Sequence, residues 1–474
     1  MLFNSLEFLL FFPVVCTVYF AIKDNKWRNY FLLAASYYFY MCWEPVYALL
    51  LLASTGITFG SAVLMDKKPA RKKLFLTFSI VLNLLILFFF KYFNWAAENV
   101  SALMNTLGIA MQTPKFDVLL PVGISFYIFQ ALGYSIDVYR GNVETEKNFF
   151  IYALFVSFFP QLVAGPIERS TNLLQQFKEK HNFDPEKAIT GINLMLWGFF
   201  LKIVVADNLA IAVNKVYNNI QDYPAITILS ASVMFCFQLY GDFAGYSYIA
   251  IGCSRVMGFK LMDNFLRPYF FSVSVQDFWK RNHISLTTWF MDYVYYPMIG
   301  ASANIYWWCF CIFATFVISG FWHGANWTYV MSFAIFGFYL VICILKDKRQ
   351  KKFEKQYNLK KKEWWLWFNR ALTFLLVMIA LIFFRANNID DGFYALKSVF
   401  SVDSLSGMFA ADNMKPSVFY IAFLFVIELC IEYKKTEFVQ KHFLQSYIVM
   451  SISLMMIIYM FGQFGQTQFI YFQF

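Results

Sequence analysis

Long apolar segments recur throughout this chain and restrict what it can fold into. Hydrophobic residues make up 60% of its 474 residues and charged residues only 14%, against about 25% charged in a typical soluble domain. Many of the apolar segments approach the roughly 20 residues that a helix needs to cross a bilayer. They also lack the alternation of membrane β-strands. The sequence therefore predicts an all-α, polytopic integral membrane protein.

Hydropathy predicts about 11–12 transmembrane helices plus short re-entrant or interfacial helices. The short segments are 149–165 and 284–300, which contain Pro160 and Pro297 and would need protein or water around them. No internal repeat and no soluble domain is recognisable, so we expect a single membrane-embedded domain over residues 1–474. The predicted spans are 6–22, 29–43, 46–65, 74–96, 117–136, 190–213, 225–250, 304–321, 325–345, 366–385, 416–432 and 446–464.

Lysine and arginine are concentrated in short loops, which predicts the orientation of the chain. Residues 23–28, 67–73 and 346–362 are rich in both, the pattern of cytoplasmic loops. The segments 97–116, 214–224 and 386–415 are poorer in them, so we place these on the opposite, extracytoplasmic face. The net charge of +10 thus reflects membrane orientation, and we expect membrane lipid but no nucleic acid as a partner. The predicted location is a cell membrane that the chain crosses several times.

Cysteine and motif patterns indicate neither a metal site nor a bound cofactor. The eight cysteines mostly lie within apolar segments and form no CxxC pair, so we interpret them as packing residues. The chain has no GxSxG elbow, no HExxH zinc motif and no GxxxxGK[ST] phosphate loop. Any chemistry should therefore depend on other side chains.

His323 is the first candidate for chemistry. The 53 residues from 293 to 345 contain no Asp, Glu, Lys or Arg and a single histidine, His323, within SGFWHGANW. Ionisable groups inside a membrane domain are costly and often functional, and imidazole exchanges protons near neutral pH. From the residues alone, a structural histidine and a general base are equally good interpretations.

Residues 254–283 form a second candidate region, in which basic and aromatic side chains alternate. Arg255, Lys280 and Arg281 belong to it, and it ends at His283. Such a segment suits an anionic ligand or the membrane interface; a simple amphipathic surface helix is the alternative. Asp242, surrounded by small residues in YGDFAGYS, is either a structural strut or part of the lining of a route to the site.

Four motifs together resemble the membrane-bound O-acyltransferase (MBOAT) family. They are LVAGPIERS, DFAGYSYIAIG, DFWKRNHISLTTWFMDYVYYP and SGFWHGANW, in this order. The opening MLFNSLEFLLFFP also resembles the bacterial polysaccharide branch of this family. The resemblance implies the family's polytopic fold and a location in the bacterial cytoplasmic membrane. It also implies that His323 matches the catalytic histidine of the family and His283 its second histidine.

The resemblance further implies the reaction. Family members resembling this chain move an acyl group from a cytoplasmic thioester through the membrane to an acceptor outside. We therefore expect acetyl-CoA or another acyl thioester as the donor and hydroxyls of a surface polysaccharide as the acceptor. Transfer would be direct or through an extracytoplasmic SGNH-hydrolase-like partner. His323 would act as general base, and the candidate donor- or substrate-binding residues are Trp322, Asn326, Asp242, Arg255, Lys280 and Arg281.

Two alternatives remain open at this point. The chain could acylate a lipid or a small secreted molecule instead of a polysaccharide. From a different class, it could be a transporter or flippase, which would need functional charges inside the membrane. No repeated halves support a transporter, but Lys202 and Asp207 lie within a predicted span and keep that alternative open.

Overall fold

The computed structural model describes residues 1–114, 116, 120–163, 165–266, 268–359, 362–432, 443–465 and 469–470. Within these residues the regular structure is helical and contains no strand. The helices are α1 Leu6–Ala21, α2 Asn25–Met41, α3 Tyr47–Lys67, α4 Pro69–Thr106, α5 Ile124–Arg140, α6 Phe149–Ser157, α7 Phe159–Leu162, α8 Pro185–Tyr217, α9 Ala225–Val256, α10 Val275–Arg281, α11 Ile284–Phe290, α12 Tyr296–Ile299, α13 Ile305–His323, α14 Trp327–Gln356, α15 Glu363–Arg385, α16 Ile389–Val399, α17 Met414–Glu432 and α18 Phe443–Phe461.

The helices confirm the predicted fold class. Each of the twelve predicted spans overlaps one of them, and in the part of the chain that is described, seven are long and apolar enough to cross a membrane: α3, α4, α8, α9, α13, α14 and α15. Two further apolar helices, α1 and Tyr447–Phe461, are shorter. The protein is therefore a multi-pass α-helical membrane protein.

The two short apolar segments break into short helices, because each contains a proline where a new helix begins. Within the first segment, residues 149–162 form α6 and α7, separated by a non-helical Phe158, and Pro160 occupies the first turn of α7. Residues 284–300 form α11, a π-helical turn at Met291–Tyr295, and α12 with Pro297 in its first turn. Proline is tolerated there because the first-turn N–H groups have no partner within the helix.

Hydropathy did not predict one of the helices. α16 lies within 386–415, which hydropathy assigns to a loop, and its first turn carries Asp390 and Asp391. Asn388 caps it, since its Oδ1 accepts a hydrogen bond of 2.8 Å from the Asp391 backbone N–H. An eleven-residue amphipathic helix is too short and too polar for a search for membrane spans to find.

The described residues fall into two compact units. The first comprises residues 1–192 and 250–262. Within it, Glu168 is buried and joins two separate stretches of chain. Its carboxylate accepts hydrogen bonds from the Met262 backbone N–H and from Asn172 Nδ2, the second at 2.7 Å. Glu168 thus fixes the 260–262 segment onto the turn that follows it.

The second unit comprises residues 193–249 and 263–473 and contains both candidate histidines. Its α13 and α14 form a close antiparallel pair because Gly320 leaves room at their crossing. A Cβ at this position would lie only 2.9 Å from the Tyr329 carbonyl oxygen and from the Val330 Cα. This close approach fixes the last turn of α13. The expectation of one domain over residues 1–474 stays a prediction.

Candidate functional site

His323 is the last residue of α13 and is enclosed by aromatic rings. Its side chain is only 3% exposed, and its ring centroid lies 4.4 Å from that of Phe333, 4.9 Å from that of Trp322 and 5.6 Å from that of Phe384. These rings come from α13, α14 and α15. The imidazole therefore lies where three helices meet, at the negative end of the α13 dipole.

His283 precedes α11 and has an unusual backbone conformation. Its φ of 48° and ψ of 49° place it in the left-handed region, which side chains other than glycine and asparagine seldom adopt and which costs about 1–2 kcal/mol. It is 2% exposed, and its ring packs edge-on against Phe243 at 4.5 Å. Such strain is maintained only where the surroundings fix it, and it is concentrated at functional sites.

The structure brings the two histidines together, although 39 positions separate 283 from 323 in the sequence. Their ring centroids are 6.2 Å apart, with the planes inclined at 70°. Trp322 lies beside both, 6.0 Å from the His283 ring and 4.9 Å from that of His323. Two imidazoles and an indole thus share one aromatic enclosure.

Asn264 holds His283 in place, and the sequence alone did not single it out. This fully buried side chain faces His283 Nδ1 with its Oδ1 at 3.3 Å. The same oxygen accepts hydrogen bonds from the Ser285 hydroxyl at 2.8 Å and the Ser285 backbone N–H at 3.2 Å. Its Nδ2 donates to Ser247 Oγ at 3.0 Å, and its carbonyl oxygen accepts from the Ile284 N–H. The only sequence signal was a polar residue within an aromatic segment.

This network defines the protonation of His283. The atom of the Asn264 amide that faces Ser285 must be the oxygen and not the nitrogen, because it accepts two hydrogen bonds from Ser285. The amide nitrogen Nδ2 donates to Ser247 instead. His283 Nδ1 therefore carries the proton and donates, which leaves the lone pair on Nε2. Burial lowers the pKa of His283 well below its ordinary value of 6.5, so the ring is neutral at neutral pH. A neutral imidazole with a fixed tautomer can accept a proton at Nε2.

The other candidate residues of this unit have distinct surroundings. Asn326 caps α14, since its Oδ1 accepts from the Thr328 N–H at 3.0 Å. Asp242 is buried, 2.6 Å from Lys202 Nζ, and it accepts a hydrogen bond of 2.7 Å from the Ile470 N–H. Its neighbour Phe243 touches His283. Asp242 is thus engaged in structural contacts one residue away from the site.

The basic candidates are less closely associated with the histidines. Arg281 pairs with Asp277 at 3.0 Å and with Glu432 at 3.5 Å, so acidic side chains already balance its charge. Lys280 is exposed. Arg255 belongs to the first unit and is half-buried. Of the three, Lys280 is the cation whose charge is most accessible to an anionic ligand.

A small pocket lies one helical turn from both histidines. Its lining includes Ser319 on α13, Leu286 and Thr287 on α11, and Trp279 on α10. Its volume of about 20 Å³ is close to the room that one water molecule needs. The lining that the structure describes for this pocket includes neither imidazole, so the pocket adjoins the aromatic enclosure and is not part of it.

The site has the chemistry of a proton acceptor in an apolar enclosure. Two buried imidazoles in such an enclosure suit the removal of a proton from an incoming hydroxyl. Across the described ranges, no group of three or more His, Cys, Asp or Glu side chains is arranged to hold a metal ion.

The sequence profile of the membrane-bound O-acyltransferase family matches residues 143–385, a range that contains both histidines and most of their enclosure. The chain belongs to this family. It is therefore a multi-pass membrane enzyme of the O-acyltransferase class, as the four sequence motifs predicted.

Similar proteins span most of the chain. A probable alginate O-acetylase of Pseudomonas syringae pv. tomato is 36% identical over 397 residues, covering 82% of this chain and 73% of its own length. A peptidoglycan O-acetyltransferase of Helicobacter pylori is 30% identical; the match covers 86% of this chain and 81% of that protein. A teichoic acid D-alanyltransferase of Bacillus subtilis is 28% identical; the match covers 57% of this chain and 68% of that protein.

Proposed function

We propose that this enzyme transfers an acetyl group from a cytoplasmic thioester to hydroxyl groups of a polysaccharide outside the bacterial cytoplasmic membrane. The observation that carries the proposal is the pair of buried imidazoles, His283 and His323, with ring centroids 6.2 Å apart. The names of the relatives support a polysaccharide acceptor, since they act on alginate, peptidoglycan and teichoic acid.

In this proposal His323 is the general base. It removes the proton from the attacking hydroxyl as that oxygen adds to the thioester carbonyl, and the collapse of the adduct expels the thiolate. The imidazolium that forms lies at the C-terminal end of α13, where the helix dipole stabilises positive charge. The rings of Phe333 and Phe384 exclude water, so hydrolysis of the donor is suppressed.

His283 has a second role, at the donor side of His323. Its ring packs against that of Phe243, and its Nδ1 proton is held by Asn264. A neutral imidazole can accept a hydrogen bond there from a polar group of the donor or from a water that relays a proton. We place the thioester, acetyl-CoA or another acyl thioester, beside His283, with Lys280 as the accessible cation for its anionic part.

The names of two relatives support acetyl as the acyl group, since one is a probable alginate O-acetylase and another a peptidoglycan O-acetyltransferase. The proposal includes two routes to the sugar: direct transfer to its hydroxyl, and relay through an extracytoplasmic SGNH-hydrolase-like partner that takes the acetyl group and passes it on.

Deleting the gene should remove O-acetyl groups from a surface polysaccharide. We expect the acetyl methyl and deshielded sugar signals to disappear from the NMR spectrum of the extracted polysaccharide and to return on complementation. Mass spectrometry of lipid extracts from the same cells tests the lipid alternative. Unchanged polysaccharide with altered lipid acylation would refute the proposal.

Asn264→Ala should slow transfer through its effect on His283. Losing the bond to Nδ1 frees the ring to rotate and change tautomer, and a displacement of about 1 Å can reduce the rate roughly 100-fold. Transfer rates of Asn264→Ala, His283→Ala and the double variant measure the coupling, and we expect the double variant to be no slower than His283→Ala.

Asn264→Asp distinguishes positioning from a purely structural role. An aspartate still accepts from Nδ1, but its charge favours the imidazolium and raises the pKa of His283. We therefore expect measurable transfer whose pH profile moves to more alkaline values. An unshifted profile with full activity would mean that Asn264 does not act through His283.

A further inference from the structure

A polar cluster surrounds Arg385, the last residue of α15. Its Nη1 donates to Asn387 Oδ1 at 3.1 Å, and its Nη2 donates to Asn214 Oδ1 at 2.9 Å and to Asn218 Oδ1 at 3.2 Å. The guanidinium also lies over the Tyr217 ring, 5.2 Å from its centroid. We call these five residues the Arg385 cluster.

The positive charge of the cluster is not neutralised. All three hydrogen-bond acceptors are neutral amides, and over the ranges that the structure describes no carboxylate is ion-paired with Arg385. Two acidic residues of the neighbouring segments are engaged elsewhere: Asp412 pairs with Lys215, and Asp391 accepts a hydrogen bond from Asn388. The described bonds use three of the five N–H donors that a guanidinium carries.

Helix stabilisation alone does not account for this arrangement. A cation at the end of α15, close to the end of α8, does gain from both helix dipoles. For that purpose it would donate to terminal backbone carbonyls, whereas the recorded bonds go to side-chain amides. The three asparagines are exposed and Arg385 is half-buried, so the amides orient a cation that stays accessible from one side.

The cluster adjoins the candidate base. Phe384, which precedes Arg385, has its ring 5.6 Å from that of His323. Asn326, three residues after His323, donates from Nδ2 to the Asn387 carbonyl oxygen at 3.4 Å. The cluster also joins the segments 214–224 and 386–415, both of which the sequence predicts on the extracytoplasmic face.

We propose that the Arg385 cluster binds a carboxylate of an acidic sugar in the acceptor and so directs a neighbouring hydroxyl to His323. A guanidinium fork matches the two oxygens of a carboxylate, and the exposed asparagine amides suit sugar hydroxyls. The inference rests on the proposed function, because it assigns the acceptor side of the same site. It adds that the acceptor is anionic and that the Arg385 cluster, next to Phe384, recognises its charge.

Binding can be tested without any acyl donor, so a failure of transfer and a failure of this inference remain separate results. The full-length protein in lipid nanodiscs is titrated by calorimetry with a uronic-acid oligosaccharide, with its neutral methyl ester and with a glycerol-phosphate oligomer. We expect the acid to bind about tenfold or more tightly than the ester, as loss of a charge-assisted contact predicts. Rising salt concentration should weaken binding of the acidic oligosaccharide but not of its methyl ester.

Variants show whether Arg385 is responsible for the preference for the acid over its methyl ester. Arg385→Gln should bind the acid and the ester equally weakly, and Arg385→Lys, which keeps the charge but loses the fork, should be intermediate. Lys215→Gln is the matched control, since it removes the same charge next to Asn214 and should preserve the preference. Equal binding of acid and ester by the wild-type protein, tighter binding of the glycerol-phosphate oligomer than of the acid, or an unchanged preference in Arg385→Gln would overturn the proposal.

Discussion

Replacing His323 by alanine should abolish acetyl transfer to the polysaccharide while the protein still accumulates in the membrane. If His323 removes the proton from the attacking hydroxyl, its loss costs roughly 10²–10⁴-fold in rate. That is enough to bring O-acetylation in cells below detection. The measurement is the O-acetyl content of polysaccharide from a deletion strain that expresses the variant, with membrane protein quantified by immunoblot.

A second variant separates chemistry from packing. His323 is 3% exposed and packs against Phe333, so alanine leaves a cavity that could itself loosen the enclosure. His323→Asn fills more of that space but cannot take up a proton, and we expect it to be equally inactive. His181→Ala, in the first unit, is the control and should keep full activity. Normal acetylation by His323→Asn would remove His323 from the role of base.

The fold was largely predictable because membrane solvation imposes a simple rule on the sequence. A helix that crosses the bilayer must hide its backbone and present apolar side chains over its length, so hydropathy finds α9 or α13 without knowledge of their contacts. It fails where that rule is relaxed. The predicted loop 386–415 contains α16, and residues 284–300 break into α11, a π-helical turn and α12.

The site was only partly predictable, because its geometry arises from tertiary contacts. Charge depletion and motif resemblance singled out His323 and His283, but neither gives the 6.2 Å between their rings. The sequence around Asn264 does not distinguish it from an ordinary loop asparagine, and the sequence around Arg385 does not distinguish it from any other cation at a helix end. Their roles become visible only when hydrogen-bond partners from distant segments are known.

The second large effect concerns Lys202, which is 1% exposed within the π-helical part of α8. Its Nζ lies 2.7 Å from Asp207 Oδ1 and 2.6 Å from Asp242 Oδ1. Lys202→Met keeps most of the length of the side chain but leaves two carboxylates buried without their cation. Breaking a buried ion pair in this way costs about 3–5 kcal/mol, so we expect a large fall in the thermal unfolding temperature in detergent.

The triple variant Lys202→Met, Asp207→Asn, Asp242→Asn removes the three charges together. If they serve structure, apolar and neutral polar groups of similar size should recover most of the lost stability, and acetyl transfer should persist. If they instead carry protons or ions, as the transporter alternative requires, the variant would be stable but inactive. The same result would return Asp242 to the candidate substrate route. Unfolding temperature and transfer rate, measured on one preparation, thus decide whether this buried triad holds the fold or takes part in function.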